Sequence, residues 1–159
     1  MTRLHKYMAN RFTKILLHLV FAVKGRESLI PTQWLPHIHA YMAKSLNERG
    51  HHAIKVGGTE NHVHILFDYS PKEALPDLVR DLKVATTNYF NNKKLAPFRF
   101  GWQTGYGCFS VSPRDREMIS NYIQHQNEHH KGIGLKEEII RILDKSGIKY
   151  DQSYIFNEY

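Results

Sequence analysis

The spacing of apolar residues divides the first two thirds of the chain into strands and helices. Branched and aromatic residues bounded by turn residues predict strands at residues 15–23, 53–57, 63–69 and 107–111. Apolar residues recurring three and four positions apart predict helices over residues 31–50 and 72–92. This strand-helix-strand-strand-helix-strand order predicts an α+β fold of the ferredoxin-like kind, an antiparallel sheet with two helices on one face.

Two more helices are predicted beyond that core. Ser112-Pro113-Arg114-Asp115 combines a capping serine, a proline at the first helical position and an acid, so a third helix is expected to begin there and run to about Lys131. A fourth is predicted over residues 135–146, ending at Gly147. We therefore expect a single domain over residues 1–159, with the ferredoxin-like core at about 15–111 and the appended helices at 112–146.

Charge and composition narrow the class of partner. The formal net charge of +7 and a pI near 9.5 favour a polyanion, with nucleic acid ahead of an anionic membrane. The longest apolar stretch, residues 15–23, contains His18 and is too short to span a bilayer, so a cytoplasmic location is expected, with association with the nucleoid during action. Cys108 is the only cysteine, which excludes an internal disulfide and a cysteine-based zinc knuckle.

The histidine pair His62 and His64 is the first candidate for chemistry. Both lie at the start of a predicted strand, where residues two apart point to the same face, so the two imidazoles can converge on one cation. His37 and His39 have the same spacing on a predicted helix, where their rings point apart. Taken alone, such a pair on a strand is also compatible with ordinary core or surface roles.

The third helix offers a further ligand and a reactive group. Tyr122 and Gln126 are four residues apart and so stack on one helix face, where the amide can supply an oxygen ligand and the phenol can attack a phosphodiester. The alternatives are that Tyr122 is a core aromatic and that Gln126 is a solvated residue. Two other pairs on this predicted helix could bind a metal in place of the strand pair. They are His125 with His129 and Gln126 with His130.

Four segments in this order resemble the single-tyrosine histidine-hydrophobe-histidine transposases of the insertion-sequence 200/605 type. The segments are Gly57-Gly58-Thr59-Glu60-Asn61-His62-Val63-His64-Ile65-Leu66, Arg80-Asp81-Leu82-Lys83, Trp102-Gln103-x-Gly105-Tyr106-Gly107 and Tyr122-Ile123-x-x-Gln126. The resemblance implies that His62, His64 and Gln126 bind Mg²⁺ or Mn²⁺ and that Tyr122 is the nucleophile. It further implies single-strand DNA cleavage that leaves the 5′ phosphate on tyrosine and a free 3′ hydroxyl, with rejoining to another strand and no nucleotide cofactor.

The resemblance also implies partners for the chain. Relatives act on single-stranded DNA with hairpins, as homodimers in which the tyrosine helix of one subunit can complete the site of the other. Arg80 and Lys83 are the first candidates for DNA contacts, although a solvated helix face is an equally good interpretation of each. Asn61 occupies a position where relatives often carry aspartate. A carboxylate at this position, next to the histidines, is therefore not available in this chain.

Two other functions are compatible with the sequence. A domesticated relative that processes chromosomal repeat hairpins, rather than moving its own gene, would have the same chemistry. A non-catalytic nucleic-acid-binding module is the alternative from another class, because the segment Gly105-Tyr106-Gly107-Cys108-Phe109 faintly resembles the aromatic signature of RNA-recognition modules. That segment falls on the fourth predicted strand rather than the third, and it lacks the basic residue and one of the aromatic residues.

Overall fold

Four antiparallel strands form the centre of the fold, in the order β2-β3-β1-β4. The computed structural model describes residues 12–25, 28–126 and 134–156. Its strands are β1 (Leu16–Ala22), β2 (His52–Thr59), β3 (His62–Asp68) and β4 (Gly107–Val111). Its helices are α1 (Leu35–Glu48), α2 (Leu75–Asn92), α3 (Arg116–Gln124) and α4 (Leu135–Lys145). The predicted α+β architecture is confirmed, and no helix among these residues is long and apolar enough to cross a membrane.

The main core lies between one face of the sheet and the helices α1 and α2. Alternate residues of each strand point to this face, and both helices turn an apolar stripe toward it. Its fully buried members include Leu19 and Phe21 of β1, Ile65 and Phe67 of β3, Met42 of α1, and Leu78 and Leu82 of α2. This layer corresponds to the two helices on one face that the sequence predicts.

The second face of the sheet is covered by α3 and α4. Val20 and Ala22 of β1 and Phe109 of β4 pack there with Leu135 and Ile139 of α4. The appended helices therefore make the sheet a middle layer. The histidine pair of β3 belongs to this second face, because His64 is opposite Val20 and His62 is opposite Ala22 in the antiparallel register.

Several element boundaries differ from the predicted ones. Gly58 and Thr59 belong to β2, so the hairpin turn is confined to Glu60 and Asn61. Helix α2 begins at Leu75 rather than at residue 72.

The tyrosine helix also differs from the prediction at both ends. A short 3-10 turn, Pro113–Asp115, precedes α3, and the side chain of Ser112 makes no capping hydrogen bond. Helix α3 ends at Gln124, because the backbone of His125 leaves helical geometry, with φ −103° and ψ 27°. The N–H and the Nδ1 atom of His125 still lie 3.1 and 2.8 Å from the Asn121 carbonyl oxygen. The end predicted near residue 131, together with His129 and His130, lies outside the described residues.

Candidate active site

His62 and His64 lie side by side on the covered face of β3. Both are fully buried, at 0% exposure, and their ring centroids are 4.9 Å apart. His37 and His39, which have the same spacing, lie on helix α1 as the sequence predicts. The His37 ring is exposed and contacts Trp34 edge-on, while burial lowers the pKa of His39 to about 4. Only the strand pair therefore brings two imidazoles onto one face.

The hydrogen bonds of His62 orient its ring. Its Nδ1 lies 2.7 Å from Asn61 Oδ1 and 3.0 Å from Thr59 Oγ1, and the Thr59 hydroxyl donates to the same Asn61 oxygen at 2.9 Å. An amide oxygen can only accept, so His62 Nδ1 carries the proton and Nε2 presents a lone pair. Asn61 thus supplies a neutral acceptor to this imidazole.

His18 supports the other histidine of the pair. Its Nε2 atom lies 2.7 Å from His64 Nδ1, and its side chain is buried on β1 at 4% exposure. Burial, with the nearby His64, lowers the pKa of His18 to about 3, so the ring stays neutral and has one accepting nitrogen. When His18 Nε2 accepts from His64 Nδ1, the Nε2 atom of His64 is left as a metal-binding lone pair.

We expect His18→Leu to weaken Mn²⁺ binding by about tenfold or more, the effect typical of losing such a supporting hydrogen bond. His18→Gln, which retains an accepting oxygen, should bind Mn²⁺ within a few-fold of the wild type. Isothermal titration calorimetry measures both affinities, with the exposed His37→Leu as a matched histidine control. Equal Mn²⁺ affinity in a folded His18→Leu variant would contradict this role.

Two further side chains close the site from the helical side. Gln126 is buried at 1% exposure, with its Oε1 atom 3.0 Å from His62 Nε2 and its Nε2 atom 3.2 Å from Glu138 Oε1. The same Glu138 oxygen lies 3.4 Å from His64 Nε2. Ligand atoms of His62, His64 and Glu138 all lie within 4.8 Å of one another. The site therefore combines two imidazoles, an amide and a carboxylate.

Glu138 is the member of the site that the sequence interpretation missed. Its carboxyl group is buried at 8% exposure, and burial raises the pKa of that group to about 7. Acids in the first turn of a helix usually serve the helix dipole, and Glu137 beside it is exposed in that ordinary way. The sequence position of Glu138 could have indicated its role. Glu138 falls on the apolar stripe of Leu135, Ile139 and Ile142, where burying an acid without a partner costs free energy.

The donor set fits a divalent cation. His62 Nε2 and Gln126 Oε1 lie 3.0 Å apart, close enough to bind one cation together, and a carboxylate oxygen lies beside the second imidazole. Two nitrogens and two oxygens suit a divalent cation, and the set includes Gln126, which the sequence offers as a candidate ligand.

Tyr122 stands beside this cluster on α3. Its half-buried ring packs edge-on against the rings of His64 and His18, with centroids 5.7 and 6.3 Å apart. The amide of Gln126 also approaches the Tyr122 carbonyl at 3.4 Å, so the two residues lie about one turn apart. The structure thus brings together Tyr122, His62, His64 and Gln126 within one chain.

Arg80 and Lys83 lie elsewhere. Both belong to α2, on the sheet face opposite the histidines. Arg80 is exposed and pairs with Asp77 and Asp81 at 3.2 and 3.1 Å. Lys83 donates to the Gln103 carbonyl at 2.8 Å and to the Gly105 carbonyl, with its ammonium 5.3 Å from the centroid of the Phe21 ring. The contacts of Lys83 anchor the loop before β4. A DNA contact by Arg80 or Lys83 stays a prediction.

Known transposases are similar to this chain in sequence and in fold. A curated relative, the ISDra2 transposase TnpA of Deinococcus radiodurans, is 26% identical over 116 residues, which cover 70% of this chain and 83% of the relative. A crystal structure of a protein assigned as a transposase of D. radiodurans R1 matches with a TM-score of 0.55 and 24% identity, covering 74% of this chain and 94% of that one.

A second solved structure matches nearly the whole chain. It is a REP-associated tyrosine transposase bound to a REP hairpin, with a TM-score of 0.57 and 13% identity, covering 99% of this chain and 93% of that one. At these identities the two solved structures support the fold. The family described as "Transposase IS200 like" matches residues 11–126. Because this match covers well over half of the chain and includes the histidine pair, Tyr122 and Gln126, the chain belongs to the IS200-like transposase family.

Proposed function

We propose that this chain cleaves and rejoins single-stranded DNA at hairpin-bearing transposon ends, with Tyr122 as nucleophile and a divalent cation bound beside it. The observation that carries the proposal is the packing of the Tyr122 ring against His64, inside a buried group of His62, His64, Gln126 and Glu138. A tyrosine beside two imidazoles and two oxygen ligands is an arrangement suited to metal-assisted attack on a phosphodiester.

The proposed reaction conserves one phosphodiester bond. The Tyr122 phenol loses its proton and its oxygen attacks the scissile phosphorus, while the bond from phosphorus to the 3′ oxygen breaks. The 3′ oxygen takes up a proton and leaves as a free hydroxyl, and the 5′ phosphate stays on Tyr122. Attack by another 3′ hydroxyl reverses the step and releases the tyrosine. No nucleotide hydrolysis is needed, because the ester retains the bond energy.

The residues of the chain have separate tasks in this step. The Nε2 atoms of His62 and His64, with oxygens of Gln126 and Glu138, would hold Mg²⁺ or Mn²⁺. The bound cation supplies positive charge that polarises the phosphate and favours the phenolate form of tyrosine. His18 and Asn61 keep the two imidazoles in the tautomer that leaves Nε2 available.

The binding-only alternative is less well supported by the fold. RNA-recognition modules stack bases on aromatic side chains of an open sheet face. Both faces of this sheet are covered by helices among the described residues, and Phe109 is buried at 8% exposure. Cys108, on the other face of β4, packs against the main core. An open aromatic platform is therefore missing from this part of the chain.

Hairpin DNA is the proposed substrate on two grounds. The net charge of +7 favours a polyanion, and one relative of the same fold was solved bound to a REP hairpin. The same relative also supports the alternative of a domesticated protein that processes chromosomal repeat hairpins. The cleavage chemistry of that alternative would be the same as the one proposed here. The homodimer with an exchanged tyrosine helix and the association with the nucleoid stay predictions.

The test uses a pool of oligonucleotides that each carry an imperfect hairpin and a randomised single-stranded flank. With Mn²⁺ or Mg²⁺, the wild type should release strands with an extendable 3′ hydroxyl and form a protein–DNA adduct that survives denaturant. EDTA should prevent both products, and duplexes of the same sequences should not be cut. Hairpin binding without any cleaved strand would instead support the binding-only alternative.

A further inference from the structure

An open groove runs from Tyr122 between helices α3 and α4. It has a volume of about 610 Å³, within the range of small-ligand pockets. Phe109 and His18 form its floor, and Ile119 and Ile142 line it from the two helices. Its inner end therefore coincides with the proposed nucleophile, while the rest of its length extends away from the metal ligands.

The length of the groove follows from the two helices that border it. From Tyr122 to Asp115 and from Glu138 to Lys145 are seven residues each, or about 10 Å along a helix. A phosphodiester attacked by Tyr122 lies at the inner end, so one of the two nucleotides joined by that phosphate is directed along the groove. A volume of about 610 Å³ suits one unpaired nucleotide better than a duplex.

The lining has the mixed character that a nucleotide requires. Met118 lies on the α3 side, and its side chain is 62% exposed. With Ile119, Ile142 and Phe109 it offers apolar surface to the faces of a base.

The charged residues of the groove lie at its borders. Arg141 and Lys145 are four residues apart on α4, where they can contact phosphate oxygens, and the exposed pair of Arg141 with Glu137 at 3.0 Å is weak enough to exchange. Asp115 lies at the other border and can accept a hydrogen bond from a base that carries an amino group.

We propose that this groove binds the base of one unpaired nucleotide that adjoins the scissile phosphate. The inference rests on the proposed cleavage at Tyr122 and adds a specificity site to it. The base enters between Ile119 and Ile142, above Phe109, and its neighbouring phosphate contacts Arg141 or Lys145. Binding of this base places the scissile phosphate beside the tyrosine before attack, so the groove contributes to orientation as well as to affinity.

The test uses an oligonucleotide from the hairpin pool that the wild type cleaves at a mapped position. Its two nucleotides beside the cut are replaced, one at a time, by abasic residues. At one of them we expect cleavage to slow by about 5-fold to 100-fold, the range typical of losing one stacked base. Ile142→Trp, which fills the groove, should slow cleavage of the intact strand similarly and should cause no additional loss on that abasic strand.

Controls separate the groove from folding and from the chemistry. Ile148→Trp adds the same ring at a residue that is 44% exposed outside the groove, and it should cleave like the wild type. Met118→Ala changes only an exposed side chain and should also slow the intact strand more than the abasic one. Mn²⁺ affinity should be unchanged in all three variants, and so should binding of a hairpin that lacks the single-stranded flank.

The outcomes distinguish this inference from the proposed function. If no strand of the pool is cleaved, the proposed function fails and the groove proposal fails with it. If the wild type cleaves, but intact and abasic strands react equally fast, the groove does not bind a base and only this inference is overturned. The same conclusion follows if Ile142→Trp and Met118→Ala slow both strands to the same extent.

Discussion

Tyr122→Phe is expected to abolish formation of the protein–DNA adduct and to slow strand cleavage by a factor on the order of 10³ to 10⁶, as when other enzymes lose their nucleophile. The substitution removes one oxygen and retains the ring that packs against His64 and His18. Folding and Mn²⁺ affinity should therefore stay as in the wild type. Quenched cleavage assays with the hairpin pool, run beside calorimetric Mn²⁺ titration, measure both quantities.

Tyr154→Phe is the matched control, because the Tyr154 side chain is 88% exposed and its residue lies outside the cluster. It should cleave at the wild-type rate. If Tyr122→Phe cleaved nearly as fast as Tyr154→Phe, the phenol oxygen of Tyr122 would not be the attacking atom. The bound cation would then have to activate another nucleophile.

Gly57→Ala is expected to reduce cleavage by about 100-fold, because it displaces the helix that carries the nucleophile. Gly57 is opposite His64 in the sheet, and a Cβ atom there would lie 2.6 Å from the Ile123 carbonyl oxygen and 2.9 Å from Ile123 Cγ2. Ile123 is the neighbour of Tyr122, and its carbonyl belongs to the backbone of α3, so it cannot rotate away. Misplacement of reacting groups by about 1 Å typically has an effect of this size.

The control for this prediction is Gly101→Ala. A Cβ atom at Gly101 would meet only the flexible side chain of Lys24, at 3.5 and 3.8 Å, which is ordinary contact. Cleavage by that variant should equal the wild-type rate. Thermal unfolding of both variants shows whether each is folded. A folded Gly57→Ala variant with nearly normal cleavage would mean that the close approach of α3 to β2 is not needed to position Tyr122.

The parts of the site that the sequence predicts are those set by local geometry. His62 and His64 share a face because residues two apart do so in any strand, and Tyr122 lies about one turn from Gln126 because residues four apart do so on a helix. The helical location of His37 and His39 was predictable for the same reason. These relations depend only on the type of secondary structure, which hydrophobic periodicity indicates.

The remaining features depend on contacts between distant segments, which periodicity does not contain. Glu138 joins the site because α4 packs on the second face of the sheet, and the sequence alone does not give that placement. His18 interrupts an apolar strand, but its partner His64 is 46 residues away. The importance of Gly57 likewise becomes visible only when α3 lies against β2.

Lys83 has structural contacts that the sequence does not predict. A lysine on the polar side of an amphipathic helix is a reasonable candidate for a phosphate contact. In the folded chain its ammonium binds two loop carbonyls and lies near the Phe21 ring, and burial lowers its pKa. The side chain thus links α2 to the loop before β4, a contact that a helical pattern does not predict.

The most direct test of the central claim is to identify the amino acid that carries the DNA. The adduct formed with Mn²⁺ is digested with nuclease and trypsin, and the peptides are analysed by mass spectrometry. Cleavage after Arg116 and Lys131 gives a peptide in which Tyr122 is the only tyrosine. We predict that the added nucleotide mass is on that peptide and is linked to Tyr122. Attachment to any other residue, or the absence of an adduct while strands are cleaved, would contradict the account.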